Sequence, residues 1–104
     1  MPAIDMYEDG NDLVIEIDLP GFRKDDINIR IIDRNILSIK ATRKPTSERS
    51  SHIHRGERAA RIDKKIVLPM STKEAERITG AATYTDGVVT LRIPISEART
   101  IPIT

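Results

Sequence analysis

The stretch over residues 82–94 constrains the fold most, because it places a turn signal between two alternating segments. Asp86-Gly87 favours a two-residue type I′ turn, which needs a positive φ at both central positions. After the turn, apolar and polar residues alternate with the period of two that is typical of a half-buried strand. The apolar members are Val89, Leu91 and Ile93. Pro94 has no backbone N–H, so we expect it to end the strand or to lie at a sheet edge. The stretch therefore predicts a β-hairpin.

The first part of the chain repeats this alternation in four segments. They cover residues 4–8, 13–19, 27–32 and 37–42, and clusters of turn residues separate them. The second segment is the clearest, with Leu13, Ile15, Ile17 and Leu19 on one face. Four strands within about forty residues, joined by short turns, predict an antiparallel β-sandwich.

Composition limits the class of protein. A length of 104 residues suits one domain, and an aromatic content of 3% means that the core must be aliphatic. The net charge of +1 gives no general attraction to nucleic acid or to anionic membranes. Without cysteine the chain has neither a disulfide framework nor a thiol nucleophile. No apolar run reaches the roughly 20 residues of a membrane span, and we expect a cytoplasmic protein.

Residues 42–58 interrupt the strand pattern. Five basic residues outnumber two acids there, and Pro45 and Gly56 add loop character. Loops of this length in compact domains are usually functional or mobile. Within the loop, the residues Ser51, His52, Ile53 and His54 favour one short strand. The inward face resumes afterwards with Ile62, Ile66 and Leu68, and a capping box at 71–74 predicts one or two helical turns over 71–78.

The chain ends in a second unusual feature, Ile101-Pro102-Ile103. Pro102 favours extended backbone in the residue before it, so the two isoleucines project to the same side. They lie beyond the last predicted strand and have no obvious core of their own.

Four motifs, in the right order, resemble those of small heat shock proteins. Residues 82–94 resemble the signature A-x-x-x-(N/D)-G-V-(L/V)-T-(L/V)-x-(V/I)-P of their α-crystallin domain. Residues 18–27 resemble D-L-P-G-(F/V)-(K/R)-K-(E/D)-D-I, residues 65–69 resemble part of R-x-(F/Y)-x-L-P, and residues 101–103 match the C-terminal I-x-I/V motif. The chain is thus identified as a member of this family, of archaeal or bacterial type.

The resemblance implies an all-β, immunoglobulin-like sandwich over residues 1–95, with an exchanged loop at about 43–57, and a C-terminal extension over 96–104 with its Ile-Pro-Ile motif. It further implies an ATP-independent holdase that binds unfolding client proteins and assembles from homodimers into larger homo-oligomers. It implies neither an enzyme nor a cofactor. The N-terminal arm of the family is not matched, so we expect a domain without it.

Two interfaces follow from the resemblance. The dimer would exchange the strand at Ser51, His52, Ile53, His54 and Arg55, which would pair with the partner's N-terminal strand around Ile4 and Met6. We expect that N-terminal strand to lack a partner within its own chain. The tail residues Ile101, Pro102 and Ile103 would dock in a groove on another dimer. The groove would be formed by Ile27, Ile29 and Ile31 on one strand and by Ile78, Gly80 and Ala82 on another.

One position departs from the family pattern. Lys64 lies where the family commonly has arginine, four residues before Leu68-Pro69. Lysine lacks the two-pronged guanidinium, so an ion pair at a dimer interface would be single-pronged. Without the resemblance, Lys64 would be interpreted as a surface lysine that extends its charge into water.

Other functions leave weaker signals. His52 and His54 could share one metal on a strand, but no third ligand of suitable spacing is evident. The basic loop could contact RNA, although it has no aromatic residue to stack on bases. Two further alternatives stay open. A monomeric CS-type co-chaperone has a related sandwich but neither the long loop nor the tail, and a β-sandwich hydrolase would need a convergent His and carboxylate site.

Overall fold

The structure, a computed structural model, describes residues 2–43, 60–69, 82–94 and 102–104. These residues form seven β-strands and one short 3-10 helix, Lys24–Asp26. The strands are β1 (Ile4–Asp9), β2 (Asp12–Asp18), β3 (Ile27–Ile32), β4 (Ile36–Thr42), β5 (Arg61–Val67), β6 (Ala82–Thr85) and β7 (Val88–Pro94). No helix in the described ranges is long and apolar enough to cross a membrane.

The strands form two antiparallel sheets that share one core. Sheet A has the strand order β1-β2-β7-β6, and sheet B has the order β3-β4-β5. The chain passes from sheet A to sheet B between β2 and β3, and returns after β5. The predicted all-β sandwich is therefore confirmed.

The core is almost entirely aliphatic, as the composition predicted. Its members come from both sheets and from the connections after β2 and β5. They are Leu13, Ile15, Ile17, Leu19, Phe22, Leu37, Ile39, Ala41, Leu68, Val89, Leu91 and Ile93. Phe22 is the one aromatic side chain among these buried members. Branched aliphatic residues suit this core because their side chains pack well on a pleated surface.

Strand β2 follows the predicted alternation with one addition. The side chains of Leu13, Ile15 and Ile17 are buried on the core side. Val14 faces the other side of the sheet, and yet it is also buried. Its neighbours across the sheet are Tyr7 and Arg92, whose long side chains lie at the same level. Val14 is therefore covered on the outer face of sheet A by its neighbours rather than by the core.

Strand β1 corrects one expectation. It pairs with β2 over its whole length, from Ile4 opposite Ile17 to Asp9 opposite Asp12. The prediction that the N-terminal strand lacks a partner within the chain was wrong, because the turn at 9–12 closes a tight hairpin. Gly10 has a φ of 61° there, as the first central position of a type II′ turn requires. As an edge strand, β1 still has one side without a described neighbour.

The hairpin predicted over residues 82–94 is confirmed. Asp86 and Gly87 both have positive φ, at 53° and 79°. The strand after them buries its three alternating apolar residues and ends at Pro94. Strand β5 also presents the predicted inward face, with Ile62 and Ile66 half-buried and packed against the core. The short strand predicted at 51–54 and the helical turns predicted at 71–78 lie outside the described residues.

Gly87 should be harder to replace than Gly10. Both have positive φ, which costs a residue with a side chain about 1–2 kcal/mol. A Cβ at Gly87 would also lie 3.1 Å from Cα of Pro20, whereas a Cβ at Gly10 would meet nothing within 4 Å. We expect Gly87→Ala to lower the free energy of unfolding by about 1 kcal/mol more than Gly10→Ala does. Urea unfolding of the two variants measures the difference, and equal losses would contradict the close approach.

Candidate functional site

The candidate sites are the edges of the two sheets. Strands β1 and β6 are the edges of sheet A, and β3 and β5 are the edges of sheet B. Tyr84 in β6 shows which edges lie together, because its hydroxyl oxygen is 2.6 Å from the carbonyl oxygen of Leu19 and 2.9 Å from that of Phe22. Those carbonyls belong to the connection that leads into β3. Strands β3 and β6 therefore lie on one side of the sandwich, and β1 and β5 lie on the other.

Tyr84 fastens β6 to the rest of the fold. Its hydroxyl carries a single proton, so it donates to one of the two carbonyls at a time or shares the proton between both. The ring packs against the core, and the hydroxyl is partly buried. Removing the hydroxyl would leave carbonyl groups in an apolar region without this donor.

We expect Tyr84→Phe to lower the free energy of unfolding by about 1–2 kcal/mol. The matched control is Tyr7→Phe. Tyr7 donates to a carboxylate oxygen of Glu16 at 2.8 Å, but on an exposed surface. Its loss should cost less than about 0.5 kcal/mol. Thermal or urea unfolding of both variants compares them, and equal effects would show that the Tyr84 bond does not fasten β6.

Three of the predicted groove residues lie together on β3. The side chains of Ile27, Ile29 and Ile31 point toward the core, but they are only half-buried. Their partners across the sheet in β4 are fully buried, as for Ile29 opposite Ile39. Apolar surface thus remains open along the β3 edge of the sandwich.

The backbone of the same residues also faces the open edge. The β4–β5 ladder is extended by hydrogen bonds from Arg43 N–H to Ala60 C=O (2.8 Å) and from Leu68 N–H to Asn35 C=O (2.6 Å). Hydrogen-bonded pairs alternate along an antiparallel ladder. Odd-numbered residues of β4 therefore bond to β5 and even-numbered ones to β3. It follows that the odd-numbered residues of β3 direct their N–H and C=O groups away from β4.

The facing edge of β6 has the same property. Ala82 lies opposite Leu91, a core residue, and so occupies an inward position, yet it is exposed. The two-residue turn is closed by the pair Thr85 and Val88, so the backbone groups of Ala82 and Tyr84 point away from β7. The other predicted groove residues of this strand, Ile78 and Gly80, lie outside the described residues.

The opposite side of the sandwich has its own open strand, β1. A hydrogen bond from Asp18 N–H to Ala3 C=O, at 3.0 Å, fixes the odd-numbered residues of β1 as those that bond to β2. Ile4 and Met6 therefore turn their backbone groups toward the open edge, while their half-buried side chains pack against the core. The residues predicted to pair with them, 51–55, lie outside the described part of the chain.

Lys64 lies on the inward side of β5. It is half-buried between Ile62 and Ile66 and lies opposite the buried Ile39. No carboxylate of a described residue forms an ion pair with it. The apolar face in which the sequence placed Lys64 is therefore confirmed, and its role at an interface stays a prediction.

The tail is described only at its last residues. Ile103 is 98% exposed, and Pro102 is exposed beside it. Ile101 lies outside the described residues. A single exposed aliphatic side chain is common on protein surfaces, so the docking role of the tail stays a prediction.

Two contacts of the connection after β2 were not predicted. One is the Tyr84 hydroxyl bond, and the other is Arg43. The Arg43 guanidinium carbon lies 4.5 Å from the centroid of the Phe22 ring, and its Nη2 donates to the carbonyl oxygen of Pro20 at 3.1 Å. Their residue types gave a weak signal, since a tyrosine at an inward position needs a partner for its hydroxyl. The partner itself is a backbone carbonyl more than sixty residues away.

Within the described ranges, no three His, Cys, Asp or Glu side chains come together as a metal site would require. The pair considered from the sequence, His52 and His54, lies outside those ranges.

Comparisons with known proteins agree with this architecture. The pattern of the Hsp20/alpha crystallin family matches residues 5–104. Small heat shock protein C4 of Rickettsia felis is 33% identical over 98 residues, which cover 92% of this chain and 58% of that protein. The chain thus spans somewhat more than half the length of this relative.

Solved structures are similar over nearly the whole chain. A mutant of hsp14.1 from Sulfolobus superposes with a TM-score of 0.84 at 38% identity, covering 99% of this chain and 78% of that one. A small heat-shock protein from Xylella fastidiosa, which has a distinct high order structure, gives 0.75 at 32% identity, covering 100% and 94%. The two-sheet order, the hairpin at 82–94 and these matches lead to one conclusion: the chain belongs to the Hsp20/alpha crystallin family of small heat shock proteins.

Proposed function

We propose that this chain acts in the cytoplasm as an ATP-independent holdase, which binds unfolding proteins and prevents their aggregation. The observation that carries the proposal is the open β3–β6 side of the sandwich. There, Ile27, Ile29 and Ile31 expose inward-facing apolar surface, and their backbone groups point to an edge that has no described neighbour. Such an edge suits extended, partly apolar segments, which add to it as a further strand. The binding chemistry is sequence-tolerant because much of it uses the ligand's backbone.

The first partner that we propose is a second copy of the chain. The segment Ser51–Arg55 of one protomer would add to the open side of β1 in the other, beside Ile4 and Met6. This proposal is supported by the direction of the backbone groups of these two residues. Lys64, on the facing β5 edge, would then lie close to the exchanged strand and form a single-pronged ion pair with a partner carboxylate.

The second partner is the tail of another dimer. Ile101 and Ile103 lie two residues apart, so an extended segment presents both side chains to one face. Pro102 lies between them, and the backbone position where it lacks an N–H points away from the edge that the two isoleucines would face. The missing N–H is therefore not needed for binding. The proposed receptor comprises the three isoleucines of β3 together with Ile78, Gly80 and Ala82. Small residues on the β6 side leave room for the two isoleucine side chains. Residues 1–95 would thus form the domain, and residues 96–104 its linking extension.

The function is tested by aggregation of a heat-denatured client followed by light scattering. We expect the protein to suppress scattering to the same degree with ATP, without ATP and with a non-hydrolysable analogue. The physical reason is that holding requires only exposed apolar surface and reversible binding.

A groove variant gives this test its control. Ala82→Gln should weaken suppression because the long side chain fills the open inward position. Thr83→Gln, on the outward side of the same strand, should not. Suppression that needs ATP, or equal suppression by both variants, would contradict the proposed holdase site.

A further inference from the structure

The outer face of sheet B, on the side away from the core, has no described neighbour. One row of side chains across it is apolar and follows the strand register, from Ile32 through Ile36 to Val67. Val67 is 70% exposed. The two isoleucines are half-buried at the ends of their strands. This row lies across the end of the sheet where β3 turns into β4.

Most of the charged side chains on the rest of that surface are basic. Arg30, Lys40, Arg61 and Lys65 point outward, and Asp63 is the single acid among the outward residues of these three strands. The ion pair between Arg61 and Asp63, at 3.8 Å, joins two exposed side chains. We call the outward side chains of β3, β4 and β5 the basic face.

The outer face of sheet A has the opposite charge. Five acids point outward from β1 and β2, namely Asp5, Asp9, Asp12, Glu16 and Asp18. Arg92 of β7 donates to Asp9 at 2.5 Å and to Asp12 at 3.3 Å, and it is the one basic residue among the outward positions of this sheet. We call this surface the acidic face.

The acidic face also carries an apolar element. Tyr7 is 47% exposed, and its hydroxyl is held by the Glu16 carboxylate. That hydrogen bond raises the pKa of Tyr7, and the bonds to Asp9 and Asp12 raise the pKa of Arg92. In both cases the largest cause is a hydrogen bond to a carboxylate of this face. Tyr7 and Val67, two of the most exposed large apolar side chains among the described residues, thus lie on opposite outer faces.

We propose that the acidic face of one copy docks on the basic face of a second copy. The chain carries a net charge of only +1. If its charges were distributed without regard to position, each face would carry acids and bases in similar numbers. Instead, the two faces are complementary in charge, and each has an exposed apolar side chain near its basic or acidic residues. Complementary patches of this kind steer association and fix its orientation. Because the two faces differ, the contact is heterologous and repeats from copy to copy.

The contact is small. Three strands of six or seven residues, spaced about 4.8 Å apart, present roughly 300 Å² of flat area. A stable interface buries about 800 Å² on each partner. Docking of the faces is therefore weak, and salt weakens it further because the Debye length falls from about 10 Å at 0.1 M to about 3 Å at 1 M. It uses the outward side chains of these strands and not the open backbone edges on the β3–β6 and β1–β5 sides. It therefore does not depend on the proposed chaperone activity.

Zero-length cross-linking tests the proposal. A carbodiimide joins a lysine amine to a carboxylate only where the two are in contact. The full chain, mixed half and half with its ¹⁵N-labelled form, should give mixed-isotope peptides that link Lys40 or Lys65 to Asp5 or Glu16. Mixed isotopes identify the link as one between two chains. Lys24 is exposed in the 3-10 helix, belongs to neither face, and serves as the internal control.

We expect the face-to-face links to exceed the Lys24 links at low salt and to fall more than about fivefold in 1 M salt. Arg30→Glu should reduce the Lys65 links to a similar degree, and Arg30→Gln should reduce them less. Arg23→Glu makes the same change in net charge at an exposed residue outside both faces and should leave them unchanged. Links no more frequent than those of Lys24, or equal yields in the two glutamate variants, would overturn the proposal.

Discussion

Deletion of residues 47–56 should convert the protein from a dimer to a monomer. The proposed exchange satisfies two needs at once. The open side of β1 presents N–H and C=O groups that have no partner among the described strands, and such edges invite pairing with another chain. The segment 51–55 supplies a short strand from a partner. Without that segment, the backbone groups of Ile4 and Met6 would return to water.

The mass in solution is the direct measurement, by light scattering or sedimentation. The domain itself should stay folded, because every described strand lies outside the deletion. A variant that remains dimeric after the deletion would refute exchange through this segment.

A point substitution makes the test sharper. Met6→Pro removes an N–H that points to the open edge and leaves the β1–β2 hydrogen bonds in place, because those use the odd-numbered residues. It should therefore yield monomers as the deletion does. Met6→Ala removes the half-buried side chain but keeps the N–H, and it should remain a dimer. If the alanine variant dissociates equally, side-chain packing and not strand pairing holds the dimer.

Replacement of both Ile101 and Ile103 by glycine should reduce larger oligomers to dimers. Complete burial of one isoleucine side chain stabilises by about 1.5–3 kcal/mol, so two contribute roughly 3–6 kcal/mol. Ordering the tail costs about 1 kcal/mol or more per fixed residue, and association itself costs several more. A single tail contact is thus weak, and several together hold an assembly by multivalency.

Sedimentation of the double variant beside the parent protein measures this effect. The melting temperature of the domain should not change, because Ile103 is exposed and does not belong to the core. On the receptor side, Ala82→Gln should also reduce the size, and Thr83→Gln should not. If the parent is larger than a dimer and the double glycine variant has the same size distribution, the tail is not the link.

The sequence predicted the strands well where one face of the strand contacts only the core and the other face contacts only water. The alternation in β2 and β7 identified six buried residues because the core lies on one side and water lies on the other. Val14 escaped this logic, since its cover comes from long side chains of two neighbouring strands. The β1–β2 pairing was missed because a strand does not encode its partner, although Gly10 supplied the turn.

The candidate sites divide in the same way. The inward placement of the β3 isoleucines was predicted by the period-two pattern. The resemblance names the same residues as part of a groove, and that role stays a prediction. The bonds of Tyr84 and Arg43 to backbone carbonyls could not be predicted, because a carbonyl group is common to every residue and only the fold selects one. The charges of the two outer faces needed the register of five strand pairs before they could be assigned to opposite surfaces.

The direction of the backbone groups on β3 has a geometric consequence for anything that binds there. The residues that offer edge hydrogen bonds are the same residues whose side chains line the apolar surface. A strand that forms these hydrogen bonds must therefore also contact the isoleucine side chains. A slip of one residue would turn the bound side chains to the opposite side. A ligand can therefore move along β3 only in steps of two residues, about 7 Å each. In assemblies joined through this edge, the distance between the linked domains would therefore change in discrete steps and not continuously.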